Sequence, residues 1–478
     1  MKRFFCAAGL CALLLTITGC RDTAPRPLVG SSDADVTVST SASGTVATTS
    51  AGTTATATAS STGTTASTGG TESSSGTTAG VTVTRQTAYS TTTAARTTTA
   101  TPSPSPAPAS EMRGVWVSYI ELSGLIGGKT EAQARAALDG MMDRVKACGL
   151  NTVIFHVRAN SDAYYRSTVF KPAATVKALL ESGFDPLGYA VEAAHKRGLR
   201  LEAWVNPYRI GIDKSYAMVD DVFTAKNGSY TYYYYNPASL EAQALILRGV
   251  AELVNNYAID GVQFDDYFYP PDTAAVPAKT PAPFEKAAYD AYRADGGTLD
   301  IQGWRRAQVD ALVAGCYRKV HARSGCVFGI APNCNISTNY NRYYADVEEW
   351  ISNPGYVDYI CPQIYFGFKN STSPFDVQAA AWAGMKRHSS VSLYVGLALY
   401  KTGVAPDNYA GEGKQEWVQS GDIMKRQVEL LRTLKSVGGV MLYNFSGLNA
   451  DTRSAGSGQS YSADIGRKEL ENLLPLFR

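Results

Sequence analysis

From residue 113 onward, short runs of apolar, β-branched and aromatic residues alternate with segments whose apolar positions return every three to four residues. The strand-type runs are Arg113–Tyr119, Thr152–Arg158, Arg200–Pro207, Gly261–Phe268, Val327–Pro332, Val357–Tyr365, Leu393–Tyr400 and Gly439–Phe445. Helical periodicity falls near 131–147, 186–197, 237–257, 303–323, 342–352, 374–388, 420–436 and 464–476. Asp185-Pro186, Asn236-Pro237 and Ser373-Pro374 each set a capping residue before a first-turn proline. Gly149 and Gly198 stand where helices one and two should stop. Near-continuous apolar strands followed by helices predict a parallel sheet covered on its outer face, and eight such units close a (β/α)8 TIM barrel of the α/β class. A doubly wound sheet is the alternative, but no GxGxxG follows any strand.

In this architecture, chemistry gathers at the C-terminal ends of the strands. The longest connection, from Tyr269 to about Gly303, follows strand four and holds Pro270-Pro271, Pro277, Pro281, Pro283 and a helical piece around 284–293. A loop that long in a compact domain forms a cleft wall or a lid. Ser123-Gly-Leu-Ile-Gly-Gly128-Lys129-Thr130 approaches a phosphate-loop pattern but lacks its first glycine. It reads as a glycine-rich turn with a helix cap.

Composition divides the chain. Of the 80 residues 31–110, 26 are Thr and 16 are Ser, with five charges. Such a stretch cannot bury enough apolar surface to order itself, so residues 20–110 are expected to be a disordered tether, with a span of roughly 50 Å. Lys2 and Arg3, the apolar Phe4–Leu15 and then Ile17-Thr18-Gly19-Cys20 resemble a bacterial lipoprotein signal. The expectation is a signal peptide over 1–19, lipidation at Cys20, a membrane contact through that lipid, and a barrel over 111–478. Residues 1–110 carry six Lys/Arg and four Asp/Glu, leaving 38 of each beyond. A neutral folded part argues against nucleic acid as a partner. After the signal and Cys20, five cysteines remain, at 148, 316, 326, 334 and 361, without a CxxC or a Cys/His cluster. Buried free thiols or one or two disulfides follow, and no metal or cofactor is implied.

Gly261-Val-Gln-Phe-Asp265-Asp266-Tyr-Phe-Tyr-Pro270 ends a strand in two adjacent carboxylates and then aromatics. Alternation turns Gln263 and Asp265 into the barrel. Asp266 starts the loop, followed by Tyr267. The plainer reading is a capping or salt-bridged pair, met by Arg158 or Arg209. Other strand ends add Arg158 and Asp162; Glu202, Trp204, Asn206 and Tyr208 on one face, with Arg209 beyond; Asn333; Gln363 and Tyr365; Tyr400; and Asn444. Together they predict a polar, aromatic mouth with several carboxylates. That is glycosidase equipment: one carboxylic acid protonates the leaving oxygen and a second carboxylate attacks or stabilises the oxocarbenium-like state.

The chain resembles the glycosyl hydrolase-like 10 family of bacterial envelope proteins. The matching pieces are Arg113-Gly-Val-Trp116, Ser161-Asp-Ala-Tyr164, Asp185-Pro-Leu187, Ala203-Trp-Val-Asn-Pro-Tyr-Arg209, Phe264-Asp-Asp-Tyr-Phe-Tyr-Pro270, Trp304-Arg-Arg306, Phe328-Gly-Ile-Ala-Pro332 and Cys361-Pro-Gln-Ile-Tyr365. The resemblance implies a glycosidase-like (β/α)8 domain acting on cell-wall or other extracellular glycan. Glu202 and Gln263 stand where His is common in the family. Both should face the barrel on adjacent strands and pair with each other. Asp265 matches the strand-four nucleophile of related retaining barrels. Asn333 stands where their acid Glu usually follows strand five, leaving Asp162, Asp266 and Glu202 as acid candidates in falling order. A second mechanism has an N-acetyl group of the substrate attack the anomeric carbon, with one Asp orienting it and its neighbour protonating the leaving oxygen. A tethered carbohydrate-binding protein without catalysis, and an α-glucan hydrolase, are the competing classes.

Overall fold

The computed structural model describes residues 111–478. The expected signal peptide, lipidated Cys20 and tether lie outside the described residues. Eight parallel strands close a barrel: β1 (Met112–Val117), β2 (Thr152–Arg158), β3 (Arg200–Val205), β4 (Gly261–Phe264), β5 (Val327–Ile330), β6 (Tyr359–Ile360), β7 (Ser392–Leu397) and β8 (Val437–Leu442). Each strand pairs with its sequence neighbours, and β8 pairs back onto β1. The expected (β/α)8 barrel is the observed fold.

Local chemistry explains where the helices begin and stop. Thr130 and Gln133 form a reciprocal capping box ahead of the helix Glu131–Ala147. Asp185 accepts from the Leu187 and Gly188 amides, with Pro186 first in the helix Pro186–Lys196. Gly149 and Gly198 adopt positive φ, as their stop role requires. Three expected starts move. Asn236 instead accepts from the Ala238 amide and donates to Asp221 and the Phe284 carbonyl, so Ser239 caps the helix Leu240–Asn256. Ser373 gives its amide to Asn370 and makes no cap for the helix Phe375–Gly384. Asp346 starts the helix Val347–Ser352, several residues later than the periodicity suggested. The first half of the phosphate-loop look-alike ends the helix Tyr119–Ile126, which Ser118 and Glu121 cap, and its second half is the expected glycine turn at Gly128 leading to the Thr130 cap. The cysteines at 148, 316, 326, 334 and 361 are all buried, and those at 148, 316, 326 and 361 are free thiols.

Apolar packing forms two clusters. The larger lies between the strands and the helices; the smaller fills the barrel and comprises Trp116, Ile154, Trp204, Ala331, Tyr359, Cys361 and Met441. A hydrogen-bonded chain crosses this interior. The Trp116 indole donates to Gln263 Oε1 at 2.5 Å, Gln263 Nε2 donates to the Tyr359 hydroxyl at 2.9 Å, and that hydroxyl donates to Glu202 Oε2 at 2.5 Å. Glu202 and Gln263 therefore do not pair directly, because Tyr359 stands between them. Gly329 makes room for that ring: a Cβ there would lie 1.9 Å from Tyr359 Cζ.

Candidate active site

The C-terminal end of β4 delivers the carboxylates. Asp265 is 3% exposed, while Asp266 is half-buried. The Trp204 indole donates to Asp265 Oδ2 at 2.9 Å, and the Tyr267 amide donates to Oδ1 at 3.3 Å. Gln363 Nε2 donates to Asp266 Oδ1 at 3.3 Å and to the Ala331 carbonyl at 2.8 Å. Arg209 gives its Nε and Nη2 protons to the Ala159 carbonyl, at 3.1 and 2.7 Å, and lies 4.4 Å over the Tyr267 ring. Its charge acts on both carboxylates from that anchored position.

Burial dominates the electrostatics. It pushes Asp265 up to about 8, helped by the neighbouring Asp266 and opposed by Arg209 and the Trp204 hydrogen bond. Asp266 is also raised by burial, against hydrogen bonds from Gln363 and Asn333. Two adjacent carboxyls in a dry site do not both ionise readily, because each charge raises the cost of the other. Asp162 is half-buried, accepts from the Asn160 amide at 3.2 Å, is raised by burial and feels the same Arg209 charge. Asp162, Asp265, Asp266, Arg209 and Tyr267 thus surround one mouth.

Aromatics line the rest. Tyr365 stacks on Tyr443 at 5.5 Å, and Tyr400 meets both edge-on. Half-buried Asn333 and Asn444 follow β5 and β8. Beneath them His156 stacks on Trp204 at 3.6 Å, and its Nδ1 accepts from the Tyr119 amide at 3.3 Å. Burial and Arg209 hold this imidazole well below its ordinary value, so it is neutral and carries its proton on Nε2.

Five expected mouth residues are placed elsewhere, beginning with Gln263, which is fully buried in the barrel interior between Trp116 and Tyr359. Glu202 is fully buried below the mouth against Tyr359, two register steps beneath Trp204, so it has no reach to a substrate. Arg158 follows an irregularity in the β2–β3 pairing and leaves the inward face. Its Nη2 serves the Asn206 and Pro207 carbonyls, and its guanidinium lies 4.5 Å from the Phe170 ring. Asn206 is buried and donates to the Ala159 carbonyl at 2.6 Å, beside Arg209. Tyr208 is fully buried in the outer cluster, because β3 ends at Val205 and the period-two face ends with it. Neither Arg158 nor Arg209 pairs with the two aspartates, contrary to the salt-bridge alternative. Two more aromatics complete the mouth: Tyr119, which the sequence pattern did not single out, and Tyr443, which with Asn444 is expected at the end of strand eight. Tyr119 is half-buried, near Arg209 and Asp162. Tyr443 touches Trp116, Trp204, Tyr365 and Tyr400. Both are aromatics one or two residues beyond a barrel strand, the signal already used for Tyr365.

Residues 111–417 match the family described as glycosyl hydrolase-like 10. The glycosyl hydrolase DigH of Escherichia coli (strain K12) is 27% identical over 397 residues, covering 73% of this chain and 86% of that one. The glycosyl hydrolase YngK of Bacillus subtilis (strain 168) is 30% identical over 383 residues, covering 74% and 72%. Among solved structures, the glycoside hydrolase domain of PgaB from Bordetella bronchiseptica has a TM-score of 0.49 at 14% identity, over 72% of this chain and 97% of that one. The matched stretch contains β1 to β7 and both strand-four carboxylates, and the chain belongs to the glycosyl hydrolase-like 10 family.

Proposed function

We propose that this protein is a glycoside hydrolase acting on extracellular or cell-wall glycan that contains amino sugars, and that Asp265 and Asp266 carry the reaction. The observation behind this reading is the adjacent pair at the end of β4, with Asp265 raised to about 8 by burial and by its neighbour. A retaining nucleophile must be ionised in the resting site. Asp265 keeps its proton through neutral pH, which suits a general acid better. Asp266, more exposed and held by Gln363 and Asn333, is then the anion. That division favours the substrate-assisted route: Asp266 orients an acetamido group, its carbonyl oxygen attacks the anomeric carbon, and Asp265 protonates the leaving oxygen. Asp162 stands across Arg209 as the second acid candidate. Half-buried Tyr267 and Tyr400 offer aromatic surface for sugar rings, with Tyr365 buried against Tyr443, and Trp204 orients Asp265 from below.

The protein is further proposed to be exported, held to the cell envelope through lipid on Cys20, and spaced from the membrane by residues 20–110. Product analysis on peptide-free cell-wall glycan strands, chitin fragments and α-glucans tests the activity. Release from the amino-sugar polymers alone is expected, and release only from α-glucans would overturn the substrate class. A non-catalytic carbohydrate-binding role is the second reading, favoured by Asn333 at the end of β5. Binding without any product would establish it.

A further inference from the structure

After β3 the chain leaves the barrel and forms an antiparallel sheet from Arg209–Gly211, Val222–Asn227 and Tyr230–Tyr235. Directly opposed residues in such a sheet share a face. Tyr234 opposes Arg209 on one side and Phe223 on the other; Tyr232 opposes Ala225, and Tyr230 opposes Asn227. Tyr230, Tyr232 and Tyr234 therefore form one row by period two, on the face that carries Arg209. Arg209 lies over Tyr267, immediately after the carboxylate pair, so this face looks onto the candidate site. Exposure rises outward along the row, from 3% at Tyr234 through half-buried Tyr232 to 42% at Tyr230. Alternate residues of a strand lie about 7 Å apart, so the row covers about 14 Å. Tyr234 is committed to packing on Phe223, which stacks on Phe284 at 3.8 Å. Tyr230 is exposed, Tyr232 rests partly on the core and keeps part of its ring in solvent, and both Arg209 and Asp272 lie near the inner end of the row.

We infer that this row holds successive sugar rings of a glycan chain on one side of the cleavage point, so that the protein works within long chains and prefers them to oligosaccharides. The inference rests on the glycoside hydrolase reading of the Asp265–Asp266 site. A pyranose presents a C–H face that stacks on an aromatic ring, while the tyrosine hydroxyl stays in water. The continuity of the row with Arg209 keeps the bound chain in line with the carboxylates.

The test uses the full chain, with peptide-free cell-wall glycan strands and a tetrasaccharide from the same strands as probes. Dissociation constants and product release are measured for the wild type, Tyr230→Ala, the double Tyr230→Ala/Tyr232→Ala variant and Tyr232→Phe. The wild type should bind strands at least about tenfold more tightly than the tetrasaccharide. The double variant should lose most of that preference, up to about tenfold per ring, and Tyr232→Phe should retain it. Tyr230→Ala, at an exposed position, reads the effect if the double variant melts early. No affinity for strands, or equal weakening on both probes, overturns the inference. Tyrosine-dependent strand preference without product release supports the row and overturns the hydrolase reading. Normal product release with unchanged strand affinity in the double variant does the reverse.

Discussion

Asp265→Asn replaces a buried carboxyl with a neutral group of nearly the same shape, and it should separate activity from stability. In the wild type the folded pKa of Asp265 is about 8, against an ordinary 3.8. The folded form therefore holds a proton that the unfolded chain releases, and stability falls as pH rises from about 4 through 8. The slope is about 1.4 kcal/mol per pH unit, or about 4 kcal/mol between pH 5 and pH 8. The amide does not titrate, so the variant escapes that loss. Its NH2 meets either the Trp204 or the Tyr267 donor, which costs about 1 kcal/mol at every pH. With an unfolding entropy of about 2.1 cal/mol/K per residue over residues 111–478, 4 kcal/mol is about 5 °C. Counted from the unfolded value of 3.8, the wild type has lost about 1.7 kcal/mol by pH 5 and about 5 kcal/mol by pH 8, so thermal melts should show the variant about 1 °C above the wild type at the lower pH and about 5 °C above it at the higher. Product release should be abolished at both. Retained turnover would remove Asp265 from the chemistry. A melting difference that does not change with pH would refute the buried conflict.

Three further outcomes are expected. Glu202 is raised to about 7 by burial, so it too withdraws stability as pH rises from about 4.5 through 7; Glu202→Gln should melt progressively higher than the wild type above pH 5, by about 3 kcal/mol at most, with turnover retained. Arg305 and Glu285 are both fully buried, and Arg305 also donates to the Pro277 carbonyl and the Tyr344 hydroxyl; Arg305→Ala should cost about 3–5 kcal/mol in urea unfolding by leaving Glu285 unpaired in the long loop after β4. Cys20→Ala should abolish incorporation of labelled fatty acid in cells and release the protein from the membrane fraction; undiminished labelling would exclude Cys20 as the acceptor.

Apolar runs located all eight barrel strands, because strands covered on both sides leave little room for polar residues. They placed β2 at its observed bounds, and the helix Glu131–Ala147 likewise. The carboxylate pair was legible for the same reason: polar residues that interrupt such a run mark its end. Period two gives the face of a residue but not its height in the barrel. Glu202 faces inward as expected, yet the register opposes it to Gly261 rather than to Asp265. Pattern also fails where backbone regularity stops, as at Arg158 after the irregular pairing and at Tyr208 beyond the end of β3. Tyr359, which separates Glu202 from Gln263, arrives from β6, across a distance in sequence that local periodicity does not encode.

The buried cysteines give this barrel an internal record of how it opens. Cys148 follows the helix Glu131–Ala147, Cys316 lies within Ile301–Val320, Cys326 and Cys334 flank β5, and Cys361 follows β6. All are shielded from solvent in the folded protein. A maleimide added under native conditions can label only segments that have transiently come away from the rest. The order in which the five positions react, read by mass spectrometry, would therefore rank the segments around the barrel by how easily each opens, without introducing a single probe residue.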